Sequence, residues 1–199
     1  MKVVVFGAAG TIGYAVVSEL KGRHEVIAVG KTSGNHQVDM ADHAAVENFF
    51  AQLGKVDAVV SAAGGVHFGP LGSMTPDLMN VGLRDKLMGQ VNLVLVAPAY
   101  INSGGSITLI AGTLSNDPVR YGSSASLVNG AIESFGRAAA IELPPGVRIN
   151  VVSPSLVEES LGAYGTFFPG TPTVPAKRVA MAFLKSVEGA QTGQVYRIE

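Results

Sequence analysis

Cysteine is absent from this chain of 199 residues. That excludes a disulfide framework, a thiolate metal site and a catalytic thiol. Charge is scarce as well: Asp, Glu, Lys and Arg make up 15% of the residues, against about 25% in an average globular protein. The two signs nearly cancel, 14 basic against 15 acidic residues. With no basic patch, nucleic acid is not expected as a partner. Long apolar runs are also missing. No stretch reaches the ~18 uninterrupted apolar residues of a membrane span. The apolar start, Met1 to Phe6, is broken by Gly7–Gly13 before a signal-peptide core forms. The expectation is a soluble, cytoplasmic protein without a membrane partner. His24, His36, His43 and His67 share no metal-ligand spacing, so no metal is expected.

What remains is a chain rich in small and apolar residues, 47% apolar with 25 glycines. It is long enough to bury roughly 70% of its unfolded surface in one domain, residues 1–199. Val3–Phe6 is apolar at every position and ends in glycine, the pattern of a strand buried on both faces. Residues Thr11–Lys21 carry Ile12, Ala15, Val16 and Leu20 near a helical spacing. Val26–Val29 is a second strand. Asp42 is a plausible N-cap for a helix over Asp42–Gln52. Ala58–Val60 is the next strand. The spacing then predicts one long helix from about Asn80 to Ile101, with Pro98 loosening its end. A strand over Ser106–Ile110, a helix over Ser126–Leu143, a strand over Val147–Val152, a helix over Ala176–Ser186 and a last strand over Gln194–Ile198 complete the pattern. Such alternation predicts an α/β fold, a doubly wound parallel sheet in three layers. Its ligands bind beyond the carboxyl ends of the strands. Residues Val157–Pro175, with three prolines and three glycines, are the candidate mobile loop over that site.

The first strand leads into Gly7-Ala8-Ala9-Gly10-Thr11-Ile12-Gly13. Gly7 permits a tight turn, Gly10 lets backbone approach a pyrophosphate, and Gly13 lets helix pack on strand. The helix N-terminus adds free N–H groups and partial positive charge. A lone glycine triplet is weak, but here it follows a strand and opens a helix. The second strand ends without the acidic residue that would grip both ribose hydroxyls of NAD. It runs instead into Lys31, Thr32 and Ser33, a cation and two hydroxyls suited to a 2′-phosphate. NADP is therefore expected over NAD.

Taken together, these motifs resemble those of the short-chain dehydrogenase/reductase family, over nearly the whole chain. The resemblance is carried by Gly7–Gly13, by Val38-Asp39-Met40, by Ser61-Ala62-Ala63-Gly64, and by Gly104-Gly105-Ser106-Ile107. Ala140-Ile141-Glu142-Leu143 and Val147 to Pro154 complete it. The resemblance implies a Rossmann-type sheet. It implies that Asp39, with the Met40 backbone, binds the adenine amine, and that Ala62, Ala63 and Gly64 line the adenine ribose. It places Pro154, Ser155 and Val157 beside the nicotinamide, with Ser155 where the family has glycine.

Members of that family use a serine, a Tyr-x-x-x-Lys pair and an asparagine on the preceding helix. The tyrosine is the acid or base, the lysine lowers its pKa, and the serine orients the substrate carbonyl. Ungapped alignment back from Glu142 and Arg137 puts Ala125 at the tyrosine position and Asn129 at the lysine position. The serine position falls on Gly112 or Thr113, and the asparagine position on Lys86. Tyr121 lies four residues before Ala125, about one helical turn, but shifting the register to use it leaves Ala125 as the lysine. Two readings follow. In one, the chain is an oxidoreductase acting on a small carbonyl, alcohol or enoyl substrate, with Tyr121, Lys86 or Thr113 supplying the proton. In the other, it binds NADP(H) as a catalytically inactive regulatory or assembly module. Tyr164, Phe167, Phe168 and Met181 are candidates to cover a small substrate. The two long, weakly charged helices resemble those that pair family members across two-fold axes, which implies a homodimer or homotetramer.

Overall fold

The computed structural model describes all residues from Met1 to Glu199. Seven strands are present: β1 (Lys2–Phe6), β2 (Glu25–Gly30), β3 (His36–Gln37), β4 (Val56–Ser61), β5 (Ile101–Ile110), β6 (Arg148–Pro154) and β7 (Val195–Ile198). They form one sheet in the order β3-β2-β1-β4-β5-β6-β7. Every pairing is parallel. The order reverses beside β1, between β1 and β4, and a ligand crevice opens at such a switch point.

Strand alternation explains the three layers, because successive side chains point to opposite faces. Val4 and Phe6 of β1 enter one core with Val59, Ile107, Leu109, Ile149 and Val151. That core is closed by α2 (His43–Leu53), α4 (Gly89–Val96) and α5 (Ser123–Glu142). Val3 and Val5 enter the other with Ala58, Val60, Ile110 and Val152. There α1 (Thr11–Leu20) and α7 (Ala176–Glu188) supply Val16, Leu20, Val179 and Phe183. Asp42 caps α2 as its residue type suggests, accepting from the Ala45 N–H at 3.2 Å. No helix is long and apolar enough to cross a membrane.

The single helix expected over Asn80–Ile101 is four pieces. It starts earlier, at α3 (Pro76–Gly82), where Thr75 Oγ1 accepts from Leu78 N–H and Pro76 occupies the first turn. A π-helical turn over Leu83–Met88 follows, then α4, then a 3₁₀ turn over Ala97–Tyr100. Pro98 cannot donate to a continuing helix, and β5 begins directly at Ile101. A π turn inserts a residue and re-aims the side chains around it. Here it carries Asp85 and Lys86. Fully buried Gln90 locks the helix to the end of β5, accepting from Ile110 N–H at 2.7 Å and donating to Ile110 carbonyl at 2.9 Å.

The two-residue β3 was not expected, being too short to show a period. Helix α5 begins at Ser123 rather than Ser126. Residues Val157–Pro175 are more ordered than a free loop. They contain a 3₁₀ turn, the short helix α6 (Leu161–Tyr164) and a second 3₁₀ turn over Gly165–Phe167. The segment is closed at its base by a bridge between Val157 and Val174.

Candidate active site

The glycine turn after β1 has the shape its residues require. Gly7 adopts φ +78°, and a Cβ there would stand 2.6 Å from Ala63 Cβ. A Cβ on Gly13 would run into the Gly7 carbonyl. On Gly10, by contrast, a Cβ would only touch the Gly7 carbonyl oxygen at 3.4 Å, and this residue is the N-cap of α1 with no side-chain cap. The first-turn N–H groups of α1 are thus left for a ligand. Ala9, Gly10 and Thr11 line a groove running toward Glu159 and Lys177, and Ile12 lines a deeper cavity. These features fit a dinucleotide pyrophosphate.

A smaller cavity of about 130 Å³ lies at the ends of β1 and β2. Gly7, Lys31, Asp39, Met40, Ala63 and Gly64 line it, as does Asp85. Thr32 and Ser33 are exposed in the turn after β2. Ala62 is tied to β1 by its N–H to the Phe6 carbonyl at 2.9 Å. The Met40 carbonyl accepts from Asn92 Nδ2 at 2.9 Å, which fixes this wall to α4. Lys31 Nζ stands 2.8 Å from Asp39 and 3.8 Å from Asp85. The hydrogen bond and charge of Asp39 raise the Lys31 pKa, and the same contact lowers that of Asp39. Asp85 is held from behind by the Gly65 N–H at 2.6 Å. Sequence reasoning missed Asp85, because nothing but the π turn aims it here.

A second cavity, of about 210 Å³, lies beyond the ends of β4, β5 and β6. Gly64 lines both this cavity and the smaller one, so the two adjoin. On its floor Lys86 Nζ donates to Asn129 Oδ1 at 2.8 Å and to the Ala111 carbonyl at 3.0 Å. Its stem crosses Gly64, where a Cβ would stand 2.6 Å from Lys86 Cγ. Burial alone pulls the Lys86 pKa from its ordinary 10.5 down to about 8. Thr113, Ala125, Pro154, Ser155 and Val157 also face the cavity. Ser155 Oγ donates to the Pro172 carbonyl at 3.0 Å, tying β6 to the covering segment.

A Cβ on Gly112 would stand 2.9 Å from Asn129 Nδ2. The Asn129 amide therefore occupies the space beside Gly112 that a larger residue would need. Asn129, which alignment places at the lysine position, is buried and holds the Lys86 ammonium in place. One turn further along α5, buried Glu133 accepts from Ser115 Oγ at 2.6 Å, Ser153 Oγ at 2.8 Å and Arg197 Nη2 at 3.0 Å. This carboxylate braces the Thr113–Ser115 turn against β6 and β7. It also lay outside the expected site.

The remaining candidates separate. Tyr121 does not line the cavity. It is 41% exposed, in left-handed backbone at φ +68°, with its ring under the Arg120 guanidinium. Tyr164 and Phe168 do line it, and Phe68 packs against Tyr164, Phe167 and Phe168 at centroid distances of 5.8, 4.9 and 6.2 Å. Met181 sits instead on the exposed side of α7, in a groove with Glu19 and Arg23. Glu159 accepts from the first N–H of α7 through both carboxylate oxygens, a capping role.

A parallel sheet with a glycine turn at its switch point and two cavities beyond the strand ends defines a dinucleotide-binding class of α/β protein. The family model described as enoyl-(acyl carrier protein) reductase matches residues 7–195. The chain belongs to the short-chain dehydrogenase/reductase family. It is similar to the L-xylulose reductase of Mesocricetus auratus, 26% identical over 206 residues, covering 94% of this chain and 84% of that one. Among solved structures, the protein lin1944 of Listeria innocua is 46% identical with a TM-score of 0.98, and 100% of each chain is covered. A small-chain dehydrogenase solved in complex with NADPH is 25% identical with a TM-score of 0.89, over 100% of this chain and 96% of that one.

Proposed function

We propose that this chain is an NADP(H)-dependent oxidoreductase that interconverts a small carbonyl compound and its alcohol, with Lys86 as the proton donor and acceptor. The observation that carries the reading is the Lys86 ammonium on the cavity floor, held by Asn129 and the Ala111 carbonyl. An ammonium has three N–H donors. Two are already committed, which leaves one for a substrate oxygen. After giving up its proton the amine still satisfies both fixed acceptors, so the site need not rearrange. A pKa near 8 suits a group that must both give and regain a proton near neutrality.

The family's four-residue catalytic set is absent in this reading. Ala125 stands at the tyrosine position and Gly112 or Thr113 at the serine position. The lysine and asparagine positions carry Asn129 and Lys86, an exchange that keeps a cation and an amide in contact but brings the cation from the opposite helix. Gly10, Thr11 and Ile12 would hold the pyrophosphate of the cofactor, and Pro154, Ser155 and Val157 would flank its nicotinamide, which would supply the hydride. Lys86 protonates the carbonyl oxygen as negative charge develops on it, and solvent restores the proton. The segment around Tyr164 and Phe168 keeps water from that oxygen.

NADP is favoured because Lys31 is the one cation lining the smaller cavity, with Thr32 and Ser33 beside it in the chain. The solved relative bound to NADPH supports the same choice. Asp39 and Asp85 hold the Lys31 ammonium, and its long exposed stem can swing it to a 2′-phosphate. The exposed Leu95 of α4 and Leu127 and Ile141 of α5 support a homodimer or homotetramer built on these helices.

The test is a screen of small ketones, aldehydes and activated enones for NADPH oxidation, followed by variants. Lys86→Met should lose on the order of 10²-fold or more in kcat, while Tyr121→Phe should leave the rate unchanged. An unaltered rate in Lys86→Met sinks the mechanism.

A further inference from the structure

The cavity that holds Lys86 is otherwise without charge. Its walls are mostly apolar or aromatic, with Val66, Phe68, Leu114, Leu156 and Phe168 beside the hydroxyls of Thr113, Ser155 and Ser160, and no Asp, Glu, Arg or His lines it. The two partners of the ammonium, Asn129 Oδ1 and the Ala111 carbonyl, are neutral. The nearest acids in the chain and on the facing helix are committed elsewhere. Asp85 turns to Gly65 and Lys31, and Glu133 to Ser115, Ser153 and Arg197. Arg84, two residues before Lys86, is exposed. On the covering segment, Tyr164 is the one titratable side chain that lines the cavity. Buried cations are normally paired, and this one has no counter-ion in the protein.

We infer that the counter-ion is the substrate: the cavity binds a small apolar or aromatic oxo acid, with its carboxylate and adjacent carbonyl oxygen both directed at the Lys86 ammonium. This rests on the reductase reading and names its substrate class. A 2-oxo acid presents two oxygens on one edge: the one uncommitted N–H of Lys86 serves the carbonyl oxygen, and the carboxylate beside it neutralises the charge. The apolar walls and the Phe68 cluster take the hydrocarbon part. A neutral ketone of the same shape leaves the ammonium unpaired and binds more weakly. A bound anion favours the charged form of Lys86, so binding takes up protons where Lys86 has begun to lose its own. Affinity should hold below about pH 8 and fall about tenfold per pH unit above it.

The experiment compares phenylacetate with its neutral isostere phenylacetamide, by calorimetric titration of the full chain with and without NADP⁺. At pH 7 the anion should bind at least tenfold more tightly than the amide. The advantage should shrink roughly 30-fold between pH 7 and pH 9.5, and vanish in Lys86→Met. If that variant does not fold, the pH series on the unaltered protein still decides. Equal binding of the two probes at pH 7, an advantage undiminished at pH 9.5, or displacement of phenylacetate by NADP⁺ would each overturn the inference. Cofactor binding and turnover are read separately. A chain that reduces neutral ketones but ignores the charge of the probe keeps the reductase reading and loses this one. One that prefers phenylacetate but oxidises no NADPH does the reverse.

Discussion

Replacing Lys86 by methionine should change how stability depends on pH. The ammonium sits among neutral partners, and burial is the sole cause that lowers its pKa, from 10.5 to about 8. In the unfolded chain the same group titrates near its ordinary value. Between about pH 8 and 10.5 the unfolded state therefore binds more protons than the folded one, and stability rises with pH across that window. A difference of this size corresponds to about 3 kcal/mol, at about 1.4 kcal/mol per tenfold. That is an upper bound, since the cavity is open to solvent. Below about pH 8 the lysine is charged in both states and the full penalty is present. The methionine variant removes the penalty but leaves the Ala111 carbonyl and Asn129 Oδ1 without their donor, costing about 1–3 kcal/mol per acceptor that stays dry. The slope is the diagnostic quantity. Urea unfolding at intervals from pH 7.5 to 10 should show the unaltered protein gaining stability relative to Lys86→Met by up to about 3 kcal/mol. Parallel curves would mean that Lys86 is solvated in the folded chain, and would refute the buried ammonium on which the mechanism depends.

Other expectations address the rest of the site. Lys31→Ala should weaken NADPH by roughly tenfold or more and NADH little, while Asp85→Asn should strengthen NADPH alone and slightly, since it removes the weaker of the two partners of Lys31; fluorescence titrations check both, and equal effects on the two cofactors would remove the phosphate assignment. Gly112→Ser, which restores a hydroxyl at a possible serine position, should lower activity, because its Cβ would press on Asn129 Nδ2 at 2.9 Å; a gain in rate would contradict the placement of Asn129. Glu133→Ala should cost about 1–3 kcal/mol in urea unfolding, since it leaves buried Ser153 without its acceptor and removes one partner from Ser115 and exposed Arg197. Phe68→Ala should speed amide exchange of residues 158–168 by roughly tenfold, because three aromatic contacts hold that segment.

Much of this architecture was readable from local pattern. Val3–Phe6 is apolar on both faces because helices cover both faces of β1, and Gly7, Gly10 and Gly13 sit where a Cβ would collide or would block a ligand. The floor of the Lys86 cavity was less legible, for a definite reason. An α-helical period drawn through Asn80–Ile101 aims Asp85 and Lys86 only approximately, and the π turn over Leu83–Met88 sets their true directions. Gly82 and Gly89, which flank that turn, were the available hint. Gly89 is there because a Cβ would press on Met40 at 2.9 Å. Glu133 had a signal that went unused. Ala125, Asn129 and Glu133 follow at intervals of four and share one helix face, so a charge in that row must be buried with partners. Tyr121 misled because a tyrosine one turn from the expected position invites a register shift. Its left-handed backbone, just before α5, rules out the helical placement that the shift requires.

The central claim is that this chain binds a phosphorylated nicotinamide dinucleotide and presents it to the Lys86 cavity. The most direct test is a fluorescence titration of the purified, cofactor-stripped protein with NADPH and NADH, followed by the same titration on Lys31→Ala. The account predicts tight NADPH, weaker NADH, and loss of the difference in the variant. Binding of neither dinucleotide would contradict it, and would leave the glycine turn and its adjoining cavities without the ligand their geometry fits.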